Sequence, residues 1–211
     1  MESELKAVYR DVIGGKRSGV EAGVRTLLEL GCDPHVVLND ALIAPMTEVG
    51  SRFEQGELYL PEMMIAARAM QSGLALLKPR LVQNGIRASA RVVMGTVQGD
   101  LHDIGKTLVS MMLEGAGFEI IDLGTDVSPE AFTSAARDQG AQVIGMSALL
   151  TTTMQNMKLV VQAVEDAGLR GEVKIIVGGA PVTETFASEI GADGYAADAS
   201  RAVGLVRRLL S

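Results

Sequence analysis

The chain has 211 residues, of which 47% are apolar and only 3% aromatic, with no Trp, one Cys and a net charge of −7. That length supports one large or two small domains with a proper buried core, and the core must rest on Val, Ile, Leu, Ala and 11 Met. An acidic chain without a basic stretch argues against nucleic acid and anionic membrane surfaces as partners.

Other classes fall away as well. No run of about 18 apolar residues offers a membrane span, and the start, MESELKAVYRDV, lacks the apolar core of a signal peptide. Cys32, the only cysteine, allows neither an internal disulfide nor a CxxC metal knuckle. The expectation is a soluble, cytoplasmic protein.

Residues 1–88 read as helices only, with apolar positions at helical spacing and glycines at Gly14–Gly15, Gly31, Gly56 and Gly85 as punctuation. The spacing predicts helices over Glu2 to Ile13, Gly19 to Leu30, Pro34 to Gln55 and Pro61 to Asn84, enough to close a small four-helix bundle. Asp33-Pro34 has the form of an N-cap followed by Pro at the first helical position. Pro45 and Pro79 count against continuity of the last two helices. Cys32 and His35 read as incidental and as a solvated helix residue.

After the polar stretch Asn84–Ser89 the rhythm changes, which divides the chain into 1–88 and 89–211. Apolar strand-like runs at Arg91–Val97, Glu119–Leu123, Gln142–Ser147, Lys174–Val177 and Gly194–Ala197 alternate with helical segments. The helices are expected near Ile104–Gly115, Pro129–Gln139, Thr152–Ala167, Thr183–Ile190 and Arg201–Leu210. Almost wholly apolar strands with helices between them imply a parallel sheet covered on both faces. The fold class is α/β: a helical bundle, then a flavodoxin-like, Rossmann-like doubly wound five-stranded sheet. Its ligand site should lie beyond the carboxyl ends of the strands, where the strand order reverses.

That topology brings four segments to the same edge: Gly99 to Lys106, Ser147 to Thr153, Gly178-Gly179-Ala180 and Ala196-Ala197-Asp198. Neither G-x-x-x-x-G-K-[ST] nor G-x-G-x-x-G opens the first helix, so nucleotide phosphates lack their usual cradle. Gly178-Gly179 offers bare backbone against which a flat group could slide, with the hydroxyls of Ser147 and Thr151 beside it. His102 offers a nitrogen ligand, and Asp100 is placed to accept its other ring N–H, fixing the tautomer. One protein ligand does not hold a bare metal ion tightly, so the remaining coordination would come from a macrocycle. Asp103 and Lys106 read as helix-start and surface residues, Asp103 complementing the helix dipole. Asp122 reads as a turn former before Gly124.

Asp100-x-His102-x-x-Gly105 resembles the D-x-H-x-x-G signature of proteins that bind cobalamin base-off and histidine-on. Ser147-x-Leu149 and Gly178-Gly179 resemble the second and third elements of that pattern. Arg52-Phe53-Glu54, Tyr59 to Met63 and Ala66 to Met70 resemble the helical cap module that accompanies it. The resemblance covers nearly the whole chain and points to the corrinoid proteins of methanol, methylamine and glycine betaine methyltransferase systems, relatives of the cobalamin-binding part of methionine synthase. Thr107 departs from the family pattern, which has Asn there.

The resemblance implies a set of roles. His102 is the cobalt ligand, with Asp100 handling the linked proton and Thr153 adding a hydroxyl to the same relay. Gly99, Asp103, Ile104 and Gly105 would touch the cofactor. Leu149 would touch it too, while Ser147, Thr151, Gly178 and Gly179 would line the slot for the displaced benzimidazole tail, closed by Tyr195, Ala196 and Ala197. Met63, Met64 and Met70, core residues on a plain reading, would cover the upper face of the corrin, and the cap would swing aside for each partner.

The implied activity is that of a methyl carrier cycling between Co(I) and methyl-Co(III), the chemistry belonging to the cofactor. The implied partners are a substrate-specific methyltransferase, often a TIM barrel, a second one passing the methyl to coenzyme M or tetrahydrofolate, and a reductive activase. Rival readings are an adenosylcobalamin mutase subunit, a cobalamin-dependent regulator or light sensor, and a flavodoxin-like binder or receiver domain.

Overall fold

Apolar positions three and four residues apart put one face of each early helix inward. In the computed structural model, which describes residues 1–83 and 90–211, α1 spans Glu2–Ile13 and α2 spans Arg17–Glu29. A Cβ on Gly23 would stand 2.4 Å from the Val8 side chain. The bare backbone there is what lets α1 and α2 pack closely.

Asp33 accepts the His35 amide at 2.9 Å and Pro34 opens the short α3, Pro34–Val36. The single helix expected over 34–55 is instead interrupted. A π-helical segment, Val37–Ile43, follows α3, and α4 runs Ala44–Glu54. Pro45 in the first turn of α4 supplies the reason: it has no N–H to donate and its ring crowds the preceding turn, which the wider π winding relieves. By contrast Pro79 lies within α5, Leu60–Gln83, without ending it. The polar junction Asn84–Ser89 and the expected helix end at Asn84 lie outside the described residues.

Two compact units divide the chain, Met1–Ala88 with Glu114–Gly117, and Ser89–Leu113 with Phe118–Ser211. In the second, β1 (Arg91–Thr96), α6 (Ile104–Gly115), β2 (Glu119–Asp122), α7 (Pro129–Gln139) and β3 (Val143–Ser147) alternate, followed by α8 (Asn156–Asp166), β4 (Lys174–Gly178), α9 (Glu184–Glu189), β5 (Gly194–Tyr195) and α10 (Ala199–Leu210). The strands pair in parallel in the order β2-β1-β3-β4-β5. Consecutive strands run to opposite sides of β1, so the reversal falls between β1 and β3, and a crevice is expected at their carboxyl ends. The interior strands are apolar on both faces. Phe132 of α7 is fully buried, and a Cβ on Gly95 of β1 would lie 2.5 Å from its ring.

Two boundaries differ from expectation. Helix α8 starts at Asn156 rather than Thr152, because the hydroxyl and backbone of Thr153 are engaged in the preceding turns. Helix α10 starts at Ala199 rather than Arg201, because Asp198 caps it by accepting the Arg201 amide at 2.8 Å. Among the described residues no helix is long and apolar enough to cross a membrane.

In the helical unit, the Tyr9 hydroxyl of α1 donates to Glu48 of α4 at 2.6 Å. That hydrogen bond, with burial and the charge of Glu48, pushes the Tyr9 pKa up to about 12. A raised pKa means the folded chain holds this proton where the unfolded one, titrating near about 10, releases it. The contribution is therefore complete below about pH 10 and is lost as pH rises through about 12. Urea unfolding should show Tyr9→Phe destabilised by about 1 kcal/mol at pH 7, with the gap to the parent closing above about pH 10; an unchanged gap would remove Tyr9 from this role.

Candidate functional site

The parallel sheet delivers the ends of β1, β3, β4 and β5 to one edge, and the polar residues singled out above cluster there. Asp100, in the loop after β1, is completely buried. A buried carboxylate is costly unless its lone pairs are used, and Asp100 uses them fully. Oδ1 accepts the His102 amide at 3.0 Å and approaches the His102 ring Nδ1 at 2.8 Å. Oδ2 accepts the Leu149 amide at 2.8 Å, the Leu150 amide at 3.4 Å and the Thr153 hydroxyl at 2.6 Å. Burial on its own would raise the Asp100 pKa. The bonds from Thr153, from the Leu149 and His102 amides and from the His102 ring outweigh it and hold the carboxyl well below the usual carboxylate range.

An ionised carboxylate only accepts, so the proton in the Asp100–His102 contact sits on Nδ1. In the neutral imidazole that tautomer puts the lone pair on Nε2, on a side chain that is 52% exposed. The backbone is fixed as well: the His102 carbonyl accepts the Thr96 hydroxyl at 2.9 Å, and Thr96, the last residue of β1, is fully buried. Residue 102 is thus held at its amide, its ring and its carbonyl.

The loop before it is clamped from the β2–α7 connection. Asp126 accepts the Gly99 amide at 2.7 Å and its own amide donates to the Asp100 carbonyl at 3.0 Å. It does so with φ at 55°, a left-handed conformation that Asp tolerates better than most residues. Asn156 at the start of α8 donates to the Gln98 carbonyl at 2.7 Å.

Asp103, Ile104 and Gly105 open α6 and are exposed, with the Asp103 carbonyl accepting the Thr107 amide at 2.8 Å. Lys106 corrects the expectation of a surface residue. It is 3% exposed and ion-paired with Asp122, which also caps its turn by accepting the Gly124 amide at 2.9 Å. The pair anchors the first turn of α6 to the end of β2.

At the other strand ends, Ser147 is half-buried with its hydroxyl 2.9 Å from Thr96 Oγ1, Leu149 and Thr151 are exposed, and Thr153 is buried against Asp100. Gly178 and Gly179 meet backbone: a Cβ on Gly178 would stand 2.9 Å from the Ala196 carbonyl, and one on Gly179, at φ +125°, 1.9 Å from the Ala148 carbonyl. These glycines let the ends of β3, β4 and β5 converge. Tyr195 is half-buried against the sheet core, Ala196 is buried and Ala197 exposed.

Met63, Met64 and Met70 lie on α5 in the helical unit; Met63 and Met70 are buried and Met64 half-buried. Cys32 is buried, and His35 is exposed with a ring nitrogen 3.0 Å from Asn39 Nδ2.

Two further observations bear on what the edge can hold. Among the described residues no group of three or more His, Cys, Asp and Glu side chains is arranged to hold a metal ion, so His102 offers one ligand only. The flanking segments also expose apolar side chains: Leu101 is 73% and Ile104 70% exposed, and Leu149 and Leu150 over 40%. A Cβ on Gly105 would meet no atom within 4 Å. Nothing in the chain itself requires glycine there, although glycine weakens a helix by up to about 1 kcal/mol. A lone imidazole nitrogen, an apolar rim and a bare first turn fit a flat macrocycle that brings its own equatorial ligands.

Sequence reasoning missed Thr96, Asp126 and Asn156. Thr96 left a signal, a hydroxyl in an otherwise apolar strand immediately before the motif. Asp126 left none, since its role depends on a backbone angle.

Comparison with known proteins agrees with this chemistry. Two family models, each described as a B12 binding domain, match residues 90–204 and 4–78. Dimethylamine corrinoid protein 3 of Methanosarcina acetivorans is 46% identical over 100% of this chain and 98% of its own length. Trimethylamine corrinoid protein 1 of the same organism is 43% identical over 99% and 98%. Among solved structures, a chain of the methanol:cobalamin methyltransferase complex MtaBC from Methanosarcina barkeri superimposes with a TM-score of 0.90 at 27% identity, over 99% of this chain and 80% of that one. With matches that run from one end of the sequence to the other, this chain belongs to the family of B12-binding corrinoid proteins.

Proposed function

We propose that this chain is the corrinoid carrier of a methylamine-type methyltransferase system, with His102 as the protein ligand to cobalt. The observation that carries the reading is the contact of His102 Nδ1 with a buried, ionised Asp100, which leaves Nε2 exposed at the sheet edge. The names of the relatives support dimethylamine or trimethylamine as the donor class. When bound, the corrinoid supplies a cobalt centre able to accept a methyl group from one partner enzyme and yield it to another.

The chain's own residues do the rest. Asp100 keeps the proton on Nδ1 and makes Nε2 the coordinating atom, raising its basicity. Thr153 and the Leu149 amide hold Asp100 ionised by donating to its other oxygen. Leu101, Ile104, Leu149 and Leu150 would offer an apolar seat that excludes water from the bound group. Ser147, Thr151, Gly178 and Gly179, closed by Tyr195 to Ala197, are our candidates for the tail slot. The partners in this reading are a substrate-specific methyltransferase, a second one acting on coenzyme M or tetrahydrofolate, and a reductive activase. The location is the cytoplasm.

Three outcomes are expected. Reconstituted with cobalamin and reduced to Co(II), the protein should show histidine nitrogen coupling by EPR that His102→Ala abolishes; coupling that survives the substitution sinks the assignment. Gly105→Ala should raise the melting temperature of the apoprotein by about 2–4 °C while weakening corrinoid binding about tenfold through overpacking. Unchanged affinity would mean the first turn of α6 is not a contact. Asp100 contributes stability above the unfolded-state pKa near about 4, lost as pH falls through its lowered folded value. Chemical unfolding of the apoprotein should therefore show Asp100→Asn weaker by about 3 kcal/mol at neutral pH, and a gap that narrows in acid. A constant gap would contradict the charged form.

A further inference from the structure

The loop that carries His102 is held by a hydroxyl that the cofactor signature does not include. Thr96 ends β1 and stands opposite Ser147 of β3 in the parallel register. Its hydroxyl is completely buried, 2.9 Å from the His102 carbonyl and 2.9 Å from Ser147 Oγ. A hydroxyl carries one hydrogen. The carbonyl can only accept, so Thr96 gives its hydrogen to His102 and accepts the hydrogen of Ser147. The direction of the chain is Ser147 to Thr96 to the His102 main chain.

We infer that Thr96 is a positioning residue for the imidazole ligand: its buried hydroxyl fixes the carbonyl of His102, so the exposed ring is aimed by the backbone as well as by Asp100. The inference rests on the reading of His102 as the cobalt ligand. Asp100 binds the amide and the ring of residue 102 but not its carbonyl. Without a partner for the carbonyl, rotation about ψ of residue 102 would swing the following residues Asp103 and Ile104 and with them the start of α6. Thr96 closes that freedom, and because Ser147 donates to it, the same hydroxyl ties the β3 end to the ligand loop.

The test separates hydroxyl from bulk. Thr96→Val keeps the shape and removes the hydroxyl; Thr96→Ser keeps the hydroxyl and removes a methyl group. In Co(II) holoprotein, EPR should find the ratio of histidine-coordinated to histidine-free cobalt lowered about fivefold to tenfold in Thr96→Val and within about twofold of the parent in Thr96→Ser, the size of one buried hydrogen bond. In apoprotein, exchange of the His102 amide followed by NMR should accelerate about fivefold or more in Thr96→Val only. The opposite ranking, with Val like the parent and Ser impaired, assigns Thr96 to packing and overturns the inference. If Thr96→Val does not fold, the pair Thr96→Ala and Thr96→Ser differs by the hydroxyl alone and gives the same decision. A parent holoprotein without histidine coupling sinks the functional reading, while the apoprotein exchange still judges Thr96.

Discussion

A carboxylate with no access to water has to be surrounded by donors, and in this chain that demand organises the carboxyl-terminal edge of the sheet. Asp100 collects two amides from the β3–α8 turn, a hydroxyl from Thr153, and both the amide and the ring of His102. Each donor is on backbone or side chain that would otherwise be free to move. One buried charge therefore does three things: it joins the β1 loop to the β3 loop, it draws the Nδ1 side of the imidazole toward itself, and it delays the start of α8 until the turn that feeds it is complete. The ionised state and the local fold are two aspects of one arrangement.

The scaffold reaches that point by ordinary means. Parallel pairing in the order β2-β1-β3-β4-β5 places the β1 and β3 loops side by side at the reversal in strand order, and from the β2 side Asp126 and Asp122 hold the two ends of the segment that carries His102, at Gly99 and at Lys106. An exposed imidazole amid Leu101, Ile104, Leu149 and Leu150 suits a partner whose affinity derives from area and shape, with coordination as one contribution among several.

Much of this was legible from the residues. Apolar runs alternating with helical spacing marked the five strands, and the residues of Asp100-x-His102-x-x-Gly105, Ser147-x-Leu149 and Gly178-Gly179 do meet at one edge of the sheet. The π-helical segment Val37–Ile43 was not legible, because a 3.6-residue period does not distinguish a slightly wider winding and Pro45 only warned of a break. Lys106 was misjudged because burial of a cation depends on where Asp122 lies in space, 16 residues away in sequence. Thr96 stood out as a hydroxyl in an apolar strand, but its target, the His102 carbonyl, is a main-chain atom that the order of side chains does not name.

The convergence at Gly178 and Gly179 has a bearing on how this architecture can diversify. Any side chain at Gly179 would drive into the Ala148 carbonyl, and one at Gly178 into that of Ala196, so both positions are frozen by the protein's own main chain whatever occupies the crevice. Leu149, Leu150, Thr151 and Thr152 project from the same edge with room around them. Substitution at this edge is therefore open sterically at the projecting residues and closed at the two glycines beneath them.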